Sequence, residues 1–269
     1  MLKSEGDRLS RVVVCTPGRE YFRVGDLKKH NIVERADPDR AMHEHDVLKR
    51  SLADFGAEVI DVPELTGHPN SVFTRDTALC TPLGYIKLRM GLETRRGEEE
   101  WMSRILVSLG ESLVGGIEAP GTVEGGDVIL AGSVAFVGHS SRTNEAGVEQ
   151  LASFLTAIDY EVRVIPHPSA VLHLDKAMML VGPERAIYCR GLIPEEILGG
   201  FEPIRLECAQ GVTANIICLG ENEVIVERSN QKLTEELTAQ GIVVHELDLS
   251  EFVKGSGGPN CLILPVERG

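Results

Sequence analysis

One order of elements recurs along the chain: an apolar strand, a turn containing glycine, a second strand, a polar segment that opens a helix, and a third strand. In the clearest copy, GDVILAG and VAFVGHS form a hairpin, residues 143–155 have helical periodicity, and YEVRVIP closes the unit. Thr143 and Asn144 are candidate caps of this helix. A repeat of this kind favours an architecture of equivalent units packed side by side.

Three other segments follow the same order. The first contains DTALCTP and GYIKLRM, a helix over about residues 97–109, and ESLVGGI. The second contains KAMMLVG and RAIYCRG, a helix near Glu195, and EPIRLE. The third contains NIICLGENEVIVERS, a helix over about residues 230–240, and IVVHELDL.

A fifth copy is split between the two ends of the sequence. RVVVCTP is its first strand, residues 39–55 its helix, EVIDVP its third strand, and the C-terminal CLILPVE its missing strand. A closed circular array joins its ends in this way, because terminal pairing removes exposed sheet edges. Since no linker-like tract interrupts the chain, we expect residues 1–269 to form one α/β domain with pseudo-fivefold repeats.

Charge and composition restrict the partners. The net charge of −14 and the pI near 5.1 disfavour nucleic acid and anionic membranes, and they favour a small cationic substrate. No eighteen apolar residues follow one another, and the N-terminal apolar run is too short for a signal peptide, so we expect a cytoplasmic protein. Six cysteines without a CxxC pair predict free thiols, with no disulfide framework and no zinc site: Cys15, Cys80, Cys189, Cys208, Cys218 and Cys261.

The residues with catalytic chemistry lie in four segments between strands: HPNSVFTRD, GTVEGGD, VLHLD and GSGGPNC. Cys261 follows a run of glycines that lets backbone amides approach it. His173 and Asp175 are two residues apart and would share one face of a strand. Glu124 and Asp76 each precede an apolar strand. Each residue alone also has an ordinary explanation, as a buried thiol, a hydrogen-bonded core histidine, a turn carboxylate or a solvent contact.

Other motifs do not indicate a site. His43 and His45 would lie on different faces of a helix, whereas helical metal ligands need a spacing such as HExxH. The sequence contains no GxxxxGK[ST] phosphate loop. We therefore predict no metal ion and no cofactor.

Taken together, the segments resemble the guanidino-group-modifying superfamily, which includes dimethylarginine dimethylaminohydrolase, arginine deiminase and the amidinotransferases. GTVEGGD followed by SSRTN, then VLHLD, and a C-terminal GG-x-x-C occur in the order of that family, and TRRGEEE matches its arginine-bearing segment. The resemblance covers nearly the whole chain. It implies the pentein fold, a five-bladed α/β propeller of ββαβ units.

The resemblance also implies a role for each residue. Cys261 would be the nucleophile, His173 the general acid and base, and Glu124 its carboxylate partner. The guanidinium would be held by Asp76 and Asp175, with Asn70 nearby. Arg95 and Arg142 resemble the residues that hold the substrate α-carboxylate. The expected reaction is hydrolysis of the guanidino group of arginine or an N-methylated arginine through a covalent thiouronium, giving citrulline and ammonia or a methylamine.

The motifs leave the substrate and the reaction class open. TRD and HLD look like arginine deiminase, whereas EAPGTVEGGD, TRRGEEE and the short length look more like the dimethylarginine enzymes. An amidinotransferase differs only in admitting an amine in place of water, and a non-catalytic pentein, such as the ribosome anti-association factor, would work by binding. A homo-oligomer is a general expectation.

Overall fold

The computed structural model describes residues 2–166, 168, 171–209, 211–220 and 222–269. The strands in chain order are β1 (Leu9–Cys15), β2 (Glu58–Val62), β3 (Ala78–Thr81), β4 (Gly84–Lys87), β5 (Leu113–Gly116), β6 (Val128–Ala131), β7 (Val134–His139), β8 (Glu161–Pro166), β9 (Met178–Leu180), β10 (Arg185–Cys189), β11 (Glu202–Leu206), β12 (Ile216–Gly220), β13 (Glu223–Glu227), β14 (Val243–Leu247) and β15 (Ile263–Arg268). The helices are α1 (Arg19–Phe22), α2 (Pro38–Phe55), α3 (Glu98–Ser108), α4 (Glu145–Thr156), α5 (Gln231–Ala239) and α6 (Ser250–Val253).

The strands form five three-stranded sheets, which are the blades of the propeller. Their strand orders are β15–β1–β2, β3–β4–β5, β6–β7–β8, β9–β10–β11 and β12–β13–β14. In every blade the middle strand pairs antiparallel with the first strand and parallel with the third. A parallel pair needs a crossover connection, and the segment between the second and third strands of each repeat supplies it. The predicted five-bladed pentein of ββαβ repeats is confirmed.

The two ends of the sequence share one blade. β15 pairs antiparallel with β1, from Leu9 opposite Arg268 to Val14 opposite Ile263. β1 therefore takes the middle position of its blade, and β15 supplies the first strand. The expected pairing of the ends is present, but RVVVCTP is the second strand of the repeat and not the first.

Burial separates the strands of each blade. First strands such as β3, β6 and β12 are buried along their whole length, whereas third strands such as β8 and β14 are mostly exposed or half-buried, with one buried residue each. A strand that is covered on both faces tolerates a continuous apolar run. The first strands therefore form the inner layer, and the third strands lie at the rim.

The helices cover the blades through amphipathic faces. Asp37 caps α2 by accepting a hydrogen bond from the backbone N–H of Arg40, and Pro38 begins the helix. Asn144 caps α4 by accepting from the N–H of Gly147, as one of the two predicted caps. On α2, His45 is buried and His43 is exposed, which agrees with their predicted placement on different faces.

Two further expectations are wrong. The helix near Glu195 is only a 3₁₀ turn, Glu195–Leu198, because Pro194 precedes it and a pair of glycines follows it. Cys189 and Cys208, expected as free thiols, form a disulfide. The register of β10 with β11 places Cys189 opposite Leu206, and this brings the Cα atoms of the two cysteines within 5.3 Å. Spacing along the sequence gave no sign of this pairing, since it arises between neighbouring strands.

Candidate active site

In four of the five blades, a 3₁₀ turn lies directly before the first strand. These turns are Thr74–Asp76, Gly125–Asp127, Leu174–Lys176 and Asn260–Leu262. Because first strands form the inner layer, the turns meet at the centre, where Thr74–Asp76 contacts both Gly125–Asp127 and Asn260–Leu262. The fifth blade has no such turn, and residue Asn215 leads straight into β12.

Cys261 lies in the last of these turns and is buried. Its Sγ is 3.6 Å from the Nζ of Lys176, 3.8 Å from the Nδ2 of Asn215 and 3.9 Å from an oxygen of Asp175. Burial raises the pKa of Cys261 to about 11 against the opposing effect of Lys176, while Asp175 and Asp76 raise it further. Even with Lys176 beside it, the thiol of the free protein is therefore mostly protonated at neutral pH, and a further cation at the sulfur would favour the thiolate.

His173 and Glu124 form a buried pair. The Nε2 of His173 is 2.8 Å from a Glu124 oxygen, and the other oxygen of Glu124 accepts from the N–H groups of Gly91 and Leu92 at 3.0 Å each. Burial alone would lower the pKa of His173, but Asp76, Glu124 and Asp127 raise it to about 9. Burial alone would raise the pKa of Glu124, but the hydrogen bond to His173 is the main influence that lowers it, to about 2. At neutral pH the pair is an imidazolium and a carboxylate.

The two glycines of VEGGD are required by close approaches. A Cβ on Gly125 would lie 2.1 Å from the carbonyl oxygen of Arg75, and one on Gly126 would lie 2.7 Å from Nδ1 of His173. The ring of His173 thus rests against the backbone of the turn that follows Glu124. This packing fixes the distance between the two partners of the pair.

Asp127 is a site residue that the sequence reasoning did not identify. One oxygen accepts from the hydroxyls of Ser140 and Thr143, and the other accepts from the backbone N–H of Leu174, next to His173. It therefore ties the segment of Arg142 to the segment of His173. Its position at the end of a blade-entry turn, like that of Asp76, is the signal that would have revealed it.

Asp76 and Arg95 are bonded to each other. Asp76 receives Nη1 of Arg95 on one oxygen and the N–H of Gly126 on the other. Arg95 is buried and also donates to Glu98 and to the carbonyl oxygen of Phe73. Burial alone would lower the pKa of Arg95, but Glu98 and Asp76 raise it well above its ordinary range. The guanidinium is thus a permanent cation within the wall of the cavity.

Asp175 has one open acceptor. Its Oδ2 accepts from Nδ2 of Asn260 at 3.0 Å, whereas Oδ1 is buried with no hydrogen-bond partner among the described residues. A buried carboxylate oxygen without a donor is costly, and a guanidinium N–H would satisfy it. Asn260 was not identified from the sequence. Its proximity to Asp175 depends on the contact between two blades.

One cavity brings most of the predicted residues together. The residues that line it include Cys261, His173, Glu124, Asp76, Asn70, Arg95 and Arg142. The side chain of Arg142 is 12% exposed and lies 3.6 Å from Glu124. Asn70 donates to the carbonyl oxygen of His30, and its own Oδ1 is buried without a partner in the described part of the chain. Asp175 is fully buried and is not among the lining residues, but one of its oxygens lies 3.9 Å from the Sγ of Cys261.

Asp76, Glu124 and His173 place potential ligand atoms within 4.8 Å of one another, which is close enough for a metal ion. Nδ1 of His173 has no hydrogen-bond partner among the described residues, but the other potential ligand atoms do. Nε2 of His173 bonds to Glu124, whose second oxygen accepts from two backbone N–H groups, and both Asp76 oxygens accept from Arg95 or Gly126. A metal would have to displace these bonds, so the arrangement fits proton transfer better than metal binding.

Comparison with known proteins identifies relatives that have this architecture. Residues 26–268 match the family model described as N,N dimethylarginine dimethylhydrolase, eukaryotic. The chain is 30% identical to N(G),N(G)-dimethylarginine dimethylaminohydrolase of Pseudomonas aeruginosa over 94% of this chain and 98% of the relative. It is 31% identical to the enzyme of the same name from Streptomyces coelicolor, over 88% and 90%.

Solved structures agree with these matches. A cysteine-to-serine mutant of the P. aeruginosa enzyme, complexed with citrulline, superposes with a TM-score of 0.82 and 26% identity over 96% of this chain and 99% of that chain. Every blade of this protein is therefore covered by the superposition.

Proposed function

Because the chain belongs to the N,N-dimethylarginine dimethylhydrolase family and is a hydrolase of C–N bonds in linear amidines, we propose that Cys261 attacks the guanidino carbon of arginine or an N-methylated arginine. The observation that carries this proposal is the single cavity in which Cys261 lies with the His173–Glu124 pair and the carboxylate of Asp76. A guanidinium is a planar, delocalised cation, so a site must hold it with carboxylates and present a soft nucleophile to its face.

The charges in the cavity fit the steps of such a reaction. The cationic substrate favours the thiolate of Cys261, which bonds to the central carbon. His173, protonated at neutral pH, gives its proton to the leaving nitrogen of this tetrahedral adduct, and ammonia or a methylamine departs to leave the covalent thiouronium. His173 then takes a proton from water as the water attacks the same carbon. The C–S bond breaks as the new hydroxyl loses its proton to solvent, citrulline leaves and the thiolate is restored.

Asp175 supports a preference for an unmethylated guanidine. Its Oδ1 is the open carboxylate acceptor, whereas both oxygens of Asp76 already have donors. Methylation removes N–H groups, and each buried acceptor left unpaired costs about 1–3 kcal/mol, or roughly fivefold to over a hundredfold in binding. We therefore propose L-arginine as a better substrate than asymmetric dimethylarginine.

Arg142 is the stronger candidate for the substrate α-carboxylate. The family resemblance implies the same role for Arg95, but its guanidinium already donates hydrogen bonds to Asp76, Glu98 and a carbonyl oxygen. Arg142 lines the cavity with part of its side chain exposed, and its guanidinium lies 3.6 Å from a carboxylate oxygen of Glu124. Arg142→Ala should raise KM for arginine at least tenfold and change KM for agmatine, which has no carboxylate, much less. An equal rise for both substrates would contradict this role.

The deciding experiment compares kcat/KM for arginine, monomethylarginine, asymmetric dimethylarginine and agmatine by release of the ureido product. Cys261→Ser should abolish turnover while the circular dichroism spectrum stays unchanged. A haloacetamidine should label Cys261, as located by mass spectrometry, and label on Cys80 would overturn the assignment. A clear preference for dimethylarginine would overturn the argument from Asp175.

Two other reaction classes give different products. An amidinotransferase would release ornithine from arginine only when an amine acceptor is present. A binding protein of the same fold would turn over no guanidine, and the buried imidazolium–carboxylate pair next to a thiol argues against it. We also propose that residues 1–269 act as one catalytic domain, because the site takes residues from several blades. No helix in the described ranges is long and apolar enough to cross a membrane, and the cytoplasmic location and the homo-oligomer stay predictions.

A further inference from the structure

Lys176 contacts the sulfur of Cys261 from a different blade. It ends the turn Leu174–Lys176, which follows His173 directly, and its Nζ is 3.6 Å from the Sγ of Cys261. Neither the strand pattern nor the motifs indicated this residue. An ammonium at this distance from a thiol is within the range of a hydrogen bond to sulfur.

Glycine at position 258 makes this approach possible. A Cβ there would lie 2.4 Å from Oδ1 of Asn215 and 3.1 Å from Nζ of Lys176. The same Asn215 places its Nδ2 3.8 Å from Sγ and accepts the backbone N–H of Asn260 on Oδ1. Two donors from the fourth and fifth blades thus converge on one sulfur.

The charges around the sulfur require a cation. Asp175 lies 3.9 Å from Sγ, and Asp76 lies in the same cavity with His173 and Glu124. The two aspartates and burial oppose ionisation of Cys261, and Lys176 is the leading influence in its favour. Burial lowers the pKa of Lys176, but Cys261 and Asp175 raise it above its ordinary value, so the ammonium is charged at neutral pH.

We propose that Lys176 is a positioning residue that stabilises the Cys261 thiolate before the substrate arrives. This inference rests on the proposed function for its catalytic meaning, but the ionisation that it concerns can be measured without substrate. Lys176 donates a hydrogen bond to the thiolate and partly offsets the charge of Asp175. When the substrate guanidinium is bound, it supplies a second cation, so Lys176 acts most strongly on the free enzyme.

The test is the rate at which iodoacetamide alkylates Cys261 in the substrate-free protein, measured between about pH 6 and pH 9 and located by mass spectrometry. Below the pKa of the thiol the rate follows the thiolate fraction, and a rise of one pKa unit slows it about tenfold. Lys176→Met and Lys176→Gln should each slow alkylation at neutral pH about tenfold or more. Lys176→Arg should restore most of the rate.

Lys87→Met is the matched control, because it removes the same charge from an ion pair with Glu100 away from the cavity. It should leave the alkylation rate within about twofold of the parent. The ultraviolet absorbance of the thiolate, taken as the difference between each variant and its Cys261→Ser counterpart, reports the same ionisation without a reagent. It decides the result if alkylation is limited by access to the cavity.

Folded Lys176→Met and Lys176→Gln proteins with the parental rate at every pH would overturn the proposal. Kinetics with a substrate give an independent readout: kcat/KM should fall more than kcat, because saturating guanidinium replaces part of the missing charge. If alkylation slows as expected but no guanidine is turned over by the parent, the proposed function fails and the role of Lys176 in thiolate ionisation stands. If arginine is hydrolysed and alkylation does not change, the proposed function stands and the role of Lys176 in thiolate ionisation fails.

Discussion

Replacing His173 by glutamine should remove a stabilising contribution that depends on pH. The pKa of His173 is raised from an ordinary 6.5 to about 9 in the folded protein, chiefly by Asp76 and Glu124 acting against burial. Its contribution to stability is therefore fully present below pH 6.5 and is lost as the pH rises through 9. Each pKa unit corresponds to about 1.4 kcal/mol, so the contribution lost is about 3 kcal/mol. Because the residue is buried, solvent screening reduces this value little.

The assay is urea unfolding of two proteins that both carry Cys261→Ser, which removes the titration of the neighbouring thiol. One retains His173 and the other has His173→Gln. The difference in their free energies of unfolding should shrink by about 3 kcal/mol between about pH 6 and pH 10. Groups distant from the site titrate in both proteins and cancel in the difference. A difference that is constant across this range would mean that His173 is neutral in the folded protein, and the role of imidazolium as the proton donor would be refuted.

Two further predictions concern the backbone turn and the disulfide. Gly126→Ala should lower kcat at least tenfold in steady-state assays, because the new Cβ would lie 2.7 Å from Nδ1 of His173. The control Gly199→Ala should show no such loss, because the nearest atom to its Cβ is 3.6 Å away. If both variants are as active as the parent, the turn can shift freely. Joint replacement of Cys189 and Cys208 by alanine should lower the free energy of unfolding by about 3 kcal/mol, as expected for a disulfide that closes a sequence separation of 19 residues. Thiol titration of the unfolded parent should find four free cysteines, and a count of six would contradict the disulfide.

The repeat was predictable because every blade keeps the same order of apolar strands and because first strands are buried on both faces. The middle copy shows this most clearly, since GDVILAG and VAFVGHS became β6 and β7. The copy that contains KAMMLVG and RAIYCRG was harder to predict. Its connection near Glu195 lacks the length and the periodicity of a helix, and it forms a single 3₁₀ turn.

The candidate site was predictable only where the chemistry of a residue stands out from its neighbours. Cys261, His173 and Glu124 combine reactive side chains with glycine-rich turns, and the structure brings them into one cavity. Lys176 and Asn215 carry no such signal, because an ordinary lysine and asparagine gain their meaning from a sulfur that lies 85 and 46 residues away in the sequence. The pairing of Arg95 with Asp76 was hidden for the same reason, since it too depends on how the turns meet.

Closure of the ring through β1 and β15 also determines when the site forms during protein synthesis. β1 is synthesised before the other strands of the propeller, and its antiparallel partner β15 is synthesised after them. Until then, one edge of β1 is unpaired and open to other strands. Cys261 is synthesised just before β15, so until then the nascent chain has His173 and the carboxylates of the site but not the nucleophile. Because Cys261 lies two residues before β15, the pairing that covers the open edge of β1 also holds the reactive thiol at the cavity.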